Sequence, residues 1–225
     1  MSQPVWKALV AELVGTFTLV FIGSGAILAD ALTGGKVGPV GIALAHAVAL
    51  ATMVSATGHL SGGHINPAVT AAFVATGRMA PGTGAAYALA QLVGASLGAF
   101  FLTASFPEAV RQAAVLGTPV LAEGASAGTG IVVEALLTFF LVFVVFGTAV
   151  DERGPRAAGG LFIGLVLAMD ILAGGPLTGA AMNPARAFGP ALFAGVWTNH
   201  VVYWVGPLIG GVVAGWVYHS VFRPS

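Results

Sequence analysis

The sequence of 225 residues contains no cysteine, and its charged residues are scarce. The absence of cysteine excludes disulfides, thiolate metal sites and cysteine nucleophiles. Only 7% of the residues are charged, whereas ordinary soluble domains carry about 25%. The formal net charge is zero, so the chain lacks the basic excess that nucleic-acid binding requires. We therefore expect neither a nucleic-acid partner nor thiol chemistry.

Hydrophobic residues make up 57% of the chain, and its mean hydropathy is +0.96. A membrane-spanning helix needs roughly 20 mostly apolar residues. Six such runs are present, at 6–29, 39–58, 82–103, 128–150, 158–174 and 199–221. Little sequence is left for a separate soluble domain. We expect an all-α membrane protein in which residues 1–225 form one domain.

The two halves of the chain repeat each other. Glu12 in the first span matches Glu134 in the fourth, and the triplet Asn-Pro-Ala occurs at 66–68 and again at 183–185. The repeats cover about 5–103 and 128–221, and loop 104–127 joins them. Because each half contains three spans, the second half enters the membrane in the opposite direction to the first. The pattern therefore predicts an inverted repeat, with 104–127 on the extracellular side.

Each triplet lies in a polar, glycine-rich interruption and precedes an apolar stretch too short to span, 69–75 or 187–194. Asn is a strong helix N-cap and Pro is favoured at the first helical position, so each triplet predicts the start of a half-helix. Irregular backbone at membrane depth is tolerated where it lines a wet cavity. The interruptions predict a polar path, although ordinary surface turns at Asn-Pro would have the same local sequence.

Lysine and arginine predict the orientation. With both termini in the cytoplasm, five basic residues lie on that side and only Lys36 and Arg111 lie outside. The five are Lys7, Arg78, Arg153, Arg156 and Arg223.

The paired motifs Asn66-Pro67-Ala68 and Asn183-Pro184-Ala185 resemble those of the aquaporins, in the major intrinsic protein family, and the resemblance covers essentially the full length. The segments 171–175 and 197–200 are most similar to plant tonoplast intrinsic proteins. The resemblance implies six transmembrane helices plus two re-entrant half-helices, one pore per protomer, and a homotetramer in the lipid bilayer. It implies no cofactor and no metal. A prokaryotic source would place the protein in the cell (inner) membrane.

The resemblance also assigns roles to residues. It places a selectivity filter at His46, Ile171, Ala180 and Arg186. The two polar interruptions themselves predict pore-lining positions at Gly62, Gly63, His64, Ile65, Gly179, Ala181 and Met182. Glu12 and Glu134 are expected to hold the re-entrant loops. Asp170, beside the filter, is expected either to bond the turn before Ala180 or to face the pore.

These features predict a passive channel for water that excludes protons and ions and catalyses no reaction. Ile171 stands where water-selective relatives usually carry His, so ammonia and other small neutral solutes are expected as further permeants. A polyol channel is the alternative within the family. A secondary transporter is the alternative outside it, because inverted repeats and broken helices also build transporters. A non-conducting junction protein of the same family is a third reading.

Overall fold

Long apolar helices dominate the chain in the computed structural model, which describes residues 4–222. Within that range there is no β-strand. In chain order the helices are α1 (Val5–Leu32), α2 (Gly38–Ser61), α3 (Pro67–Ala75), α4 (Pro81–Ser105), α5 (Glu108–Ala113), α6 (Ala127–Val145), α7 (Gly159–Thr178), α8 (Pro184–Ala194) and α9 (Val202–Val217). Arg223, one of the five basic residues expected on the cytoplasmic side, lies outside the described residues.

Six of these helices are long and apolar enough to cross a membrane, namely α1, α2, α4, α6, α7 and α9. Helices α6 and α9 continue through short π-helical turns, Phe146–Val150 and Tyr218–Phe222. Helices α3 and α8, which start in the two Asn-Pro-Ala triplets, have 9 and 11 residues and are too short to span a membrane. The predicted fold class, six transmembrane helices and two half-helices, is confirmed.

The connection predicted as a loop at 104–127 is partly helical. Helix α4 continues to Ser105, and α5 occupies Glu108–Ala113. A 3₁₀ turn, Val115–Gly117, follows. The sequence does not predict α5, because its six residues are too few for a helical period to stand out.

Proline and glycine mark where the helices start and stop. Helices α3, α4 and α8 each begin with a proline, whose missing N–H costs nothing in the first turn. Helices α2 and α7 end at Gly62 and Gly179, whose φ angles of 88° and 79° are left-handed. The chain thus turns sharply out of α2 and α7 into the two polar interruptions.

The packing is the same in both halves. Helix α1 packs against α2 and α4, as α6 packs against α7 and α9, and the halves meet where α2 contacts α7. The half-helices cross over: α3 packs mainly against α9, and α8 mainly against α4. Each half therefore holds the half-helix of the other, and this exchange brings both half-helices into the centre of the bundle.

Glycine permits the closest helix crossings. A Cβ atom added at Gly98 of α4 would lie 2.8 Å from the carbonyl oxygen of Phe17 in α1. In the second half, a Cβ atom added at Gly206 of α9 would likewise lie 2.8 Å from the carbonyl oxygen of Ile131 in α6. Small residues allow such approaches in membranes, where packing rather than the hydrophobic effect joins helices.

Replacing Gly98 with alanine should therefore destabilise the bundle, because the new methyl group meets backbone atoms that cannot rotate away. We expect a cost of about 1–3 kcal/mol, the usual range for overpacking, seen as a lower midpoint of thermal unfolding in detergent. Gly82→Ala is the matched control in the same helix, since no atom lies within 4 Å of its added Cβ. Equal midpoints for the two variants would contradict this packing.

Candidate functional site

The two half-helices begin at the centre of the bundle with the same cap. Asn66 Oδ1 accepts a hydrogen bond from the N–H of Ala68 at 2.8 Å. Asn183 Oδ1 accepts from the N–H of Ala185 at 3.0 Å and of Arg186 at 3.2 Å. Both asparagines are buried, at 3% and 4% exposure. Two positive helix ends therefore meet in the interior of the protein.

A buried carboxyl group holds the loop before the first half-helix. Glu12 Oε1 accepts from Ser61 Oγ at 2.6 Å and from the N–H of His64 at 2.9 Å. Its Oε2 accepts from the N–H of Ile65 at 2.6 Å and from Gln91 Nε2 at 2.7 Å. These donors satisfy both carboxyl oxygens, so the burial of Glu12 is compensated.

Glu134 does the same in the second half. It accepts from Thr178 Oγ1 at 2.6 Å and from the N–H groups of Ala181 and Met182 at 2.9 and 2.7 Å. Neither carboxyl group lines the conduit described below. Both are bound to the loop of their own half.

The residue before each asparagine has a strained backbone. Ile65 and Met182 have positive φ angles of 55° and 51°, a region that costs of order 1–3 kcal/mol for such side chains. Each is held from two sides. Its N–H is bound by the glutamate of its own half, and its carbonyl oxygen accepts the amide of the opposite asparagine. Asn66 Nδ2 donates to Met182 O at 2.8 Å, and Asn183 Nδ2 donates to Ile65 O at 2.9 Å.

A narrow cavity of about 20 Å³ runs past these asparagines. That volume accommodates about one water at a time, since a water needs roughly 10–15 Å³ on this measure. The polar part of its wall is formed by Gly63, His64, Asn66, Ala180, Ala181, Asn183, Arg186 and His46. The apolar part is formed by Leu19, Leu50, Val54, Val69, Leu141, Val145, Ile163 and Leu167. The conduit thus has polar groups along one part and aliphatic side chains along the other.

Arg186 and His46 lie at one end of the cavity. Arg186 is 3% exposed, and its Nη1 donates to the carbonyl oxygen of Gly117 at 3.0 Å. It forms no ion pair within residues 4–222. The Nδ1 atom of His46 is 2.9 Å from Ile42 O, which leaves Nε2 buried without a partner in the protein. A Cβ atom at Gly23 would overlap the His46 ring, so this glycine makes room for the imidazole.

Other residues of the predicted site lie next to the cavity without lining it. Ile171 is 9% exposed and packs in the same apolar cluster as Ala180. Gly62 lines a second, wider cavity at the opposite end of the conduit, together with Ser55, His59, Phe73, Arg78 and Arg156. We call this second cavity the vestibule. Gly179, Ile65 and Met182 shape the loops. Pro67, Ala68, Pro184 and Ala185 lie in the first turns of the half-helices.

Asp170 meets neither expectation. It is 1% exposed, lies outside the cavity wall, and makes no hydrogen bond to the turn before Ala180. Its Oδ2 has no partner in the described part of the chain. The carboxyl group is therefore buried behind the conduit.

Two parts of the site are not predicted from the sequence. The apolar wall carries a signal that could have been found, since His46, Leu50 and Val54 recur every four residues on one face of α2, as Ile163 and Leu167 do on α7. The carbonyl oxygen of Gly117 carries no such signal. Its position depends on the irregular turn in which Val115, Leu116 and Gly117 all have positive φ.

Comparisons with known proteins show what the chain is similar to. A profile of the major intrinsic protein family matches residues 1–218. Aquaporin TIP4-4 of Zea mays is 51% identical, over 96% of this chain and 86% of that protein. The probable aquaporin TIP3-2 of Arabidopsis thaliana is 45% identical, over 97% of this chain and 85% of that protein. The X-ray structure of the aquaglyceroporin from Plasmodium falciparum has a TM-score of 0.87 at 23% identity, over 98% of both chains. At that identity the likeness concerns the fold alone.

Exchanging Glu134 for glutamine should destabilise the second re-entrant loop. Whichever way the amide turns, its NH₂ group replaces an oxygen that accepts a backbone N–H, from Ala181 or from Met182, and a backbone donor cannot reverse. We expect a loss of about 2–3 kcal/mol, measured as thermal unfolding of the purified protein. Glu152→Gln is the control, because the Glu152 side chain is 86% exposed. An E134Q protein whose midpoint of thermal unfolding equals that of the wild type would refute this role.

Proposed function

This chain belongs to the major intrinsic protein family, and on that premise we propose how its pore selects what passes. Its full-length similarity to aquaporins makes it a passive water channel, integral to a membrane and without enzymatic activity. We propose, in addition, the roles of individual residues, the secondary permeants, the oligomeric state and the orientation in the membrane.

The asparagines of the two triplets control the middle of the conduit. Each NH₂ group carries two hydrogens, and one is donated to the loop of the opposite half. The other is free for a passing molecule, since Asn66 and Asn183 both line the cavity. A water at this point offers its oxygen to both amides and cannot accept a bond from its neighbour in the file. This interrupts a proton wire, and the two positive helix ends repel cations.

His46, Ile171, Ala180 and Arg186 form the selectivity filter. In support, Arg186, His46 and Ala180 line the cavity, and Ile171 packs beside it in the same apolar cluster as Ala180. Arg186 is the permanent charge there, and its guanidinium presents fixed donors to a water or ammonia molecule while repelling cations. The bond to Gly117 O fixes the direction of this side chain.

Ammonia is the further permeant we propose. Ile171 offers no hydrogen-bond donor and Ala180 is small, so one side of the filter does not demand the bonding pattern of water. A polyol channel is not favoured, since Ala187 and Ala191 stand where glycerol-conducting relatives usually carry charged residues. A coupled transporter is disfavoured because the two buried glutamates are already bound to the loops.

The chain as a whole forms one channel domain of two inverted repeats and assembles as a homotetramer. The matching contacts of α1 with α4 and of α6 with α9 support the repeat. Large apolar side chains recur along the outward face of α7, at Leu161, Leu165, Met169 and Leu172, where a neighbouring copy or lipid is needed. The termini face the cytoplasm, because Lys7, Arg78, Arg153 and Arg156 lie on that side of the bundle.

The absence of cysteine gives a direct test of the conduit. Osmotic water flow into proteoliposomes should be fast and insensitive to mercurials. Ala180→Cys should make it mercurial-sensitive, because a metal bound to a thiol at this position fills a passage of about 20 Å³. Flow should fall close to that of protein-free vesicles and recover with a reductant.

The control for this test is Ala104→Cys, at an exposed position near the end of α4. Mass spectrometry confirms that both thiols have reacted. A modified A180C protein that still conducts water, or a wild type that is blocked, would contradict the proposed conduit.

Ile171→His tests the ammonia proposal. The added ring brings a donor to the filter and narrows it, so the ratio of ammonia to water permeability should fall by roughly three- to tenfold, a barrier difference of about 1 kcal/mol. Internal alkalinisation and light scattering in the same vesicles give the two permeabilities. Ile171→Val keeps the wall apolar and should leave the ratio unchanged. If the ratio of ammonia to water permeability is equal in I171H and the wild type, Ile171 is not part of the filter.

A further inference from the structure

A second polar cavity lies beside the vestibule, between the connection that follows α6 and the end of α9. Its volume is about 460 Å³. The wall is formed by Arg78, Val150, Asp151, Glu152, Arg153, Arg156, Tyr218 and His219. Three guanidinium groups and a histidine thus face one space of small-molecule size. We call it the basic cavity.

The acidic residues of the basic cavity do not neutralise it. Asp151 is engaged by Arg153, which donates to both of its carboxyl oxygens, and it also accepts from Tyr218 at 3.0 Å. These hydrogen bonds with Arg153 hold the pKa of Asp151 below its usual range. Glu152 lies 3.7 Å from Arg156, but its side chain is 86% exposed. An exposed pair at that distance contributes little.

The donors left for a ligand belong mainly to Arg78 and to Arg156, whose Nε also donates to the carbonyl oxygen of Ala149 at 3.4 Å. Arg78 makes no ion pair and no side-chain hydrogen bond within residues 4–222, and its guanidinium lies over the ring of Phe146 at 5.8 Å. Stacking uses the flat face of a guanidinium and leaves its N–H edges available. His219 also lines the cavity, although its Nδ1 atom is buried.

The position of the basic cavity narrows the possible ligands. Val150 and Phe222 end the fourth and sixth spans, so the cavity lies at the level of the lipid headgroups. Arg78, Val150 and Arg156 also line the vestibule, so they separate the basic cavity from the mouth of the conduit. A ligand here would be anionic and would accept several hydrogen bonds from different directions.

We propose that the basic cavity binds a phosphate monoester, with Arg78 and Arg156 as its principal donors. The terminal phosphate of a monoester carries a charge near −2 and three acceptor oxygens, which match two guanidinium edges and an imidazole. A carboxylate offers two oxygens and a single charge, and leaves one of the three donors without an acceptor. The same phosphate chemistry is available from a lipid headgroup or from a free phosphate compound.

The test uses the full chain in nanodiscs of phosphatidylcholine, with inorganic phosphate titrated by calorimetry at constant ionic strength. The double variant Arg78→Gln, Arg156→Gln should weaken binding by about tenfold or more, the equivalent of 1.4 kcal/mol. The control is Lys7→Gln, which removes one positive charge from the same face outside the cavity. Its affinity should equal that of the wild type.

A second arm distinguishes the two sources of phosphate. Nanodiscs with phosphatidic acid, a monoester, should compete with inorganic phosphate, whereas nanodiscs with phosphatidylglycerol, a diester, should not. Competition by phosphatidic acid assigns the site to a lipid headgroup, and binding of free phosphate without such competition assigns it to a soluble compound.

Wild-type affinity in the double variant, or an equal loss in Lys7→Gln, would overturn the proposal. If the double variant does not fold, as judged by gel filtration, Arg78→Gln alone is compared with Lys7→Gln by the same criterion. The assay measures phosphate binding and not water flow. A negative binding result therefore does not bear on the proposed channel function.

Discussion

The structure depends on satisfying backbone polar groups in the middle of a membrane, where water is scarce. At the centre of the bundle the chain leaves helical geometry twice, at 62–66 and at 179–183. Each of these two loops has N–H and C=O groups without helical partners. A buried glutamate binds the donors of its own loop, and the asparagine of the other half binds the carbonyl oxygen. Because the two loops complete each other, neither half of the chain forms the conduit alone.

This arrangement leaves a line of polar groups next to a wall of aliphatic side chains. In the function we propose, the loop groups replace the hydration of a passing water and the aliphatic wall offers it no hydrogen bond. We propose that selectivity depends on two places. At the centre the asparagine amides would set the orientation of a water, and at one end Arg186 and His46 would set charge and width.

The sequence predicted most of the fold because its signals are local or repeated. Apolar runs predicted the spans, and Asn-Pro-Ala with the Glu12 and Glu134 pair predicted the inverted halves. What it did not predict depends on tertiary contacts. Gly117 meets Arg186 from 69 positions away, and Gln91 reaches Glu12 from 79 positions away. The second half has no counterpart of Gln91 on Glu134, an asymmetry that the matched motifs conceal.

The most direct test is a crystallographic map of the chain at a resolution that shows ordered water. Our account predicts Asn66 Nδ2 bonded to Met182 O and Asn183 Nδ2 bonded to Ile65 O, with one water between them whose oxygen accepts from both amides. Two asparagines that lie apart, or that face opposite aqueous surfaces, would contradict it. So would a central water that lies beyond hydrogen-bond distance of the two Nδ2 atoms.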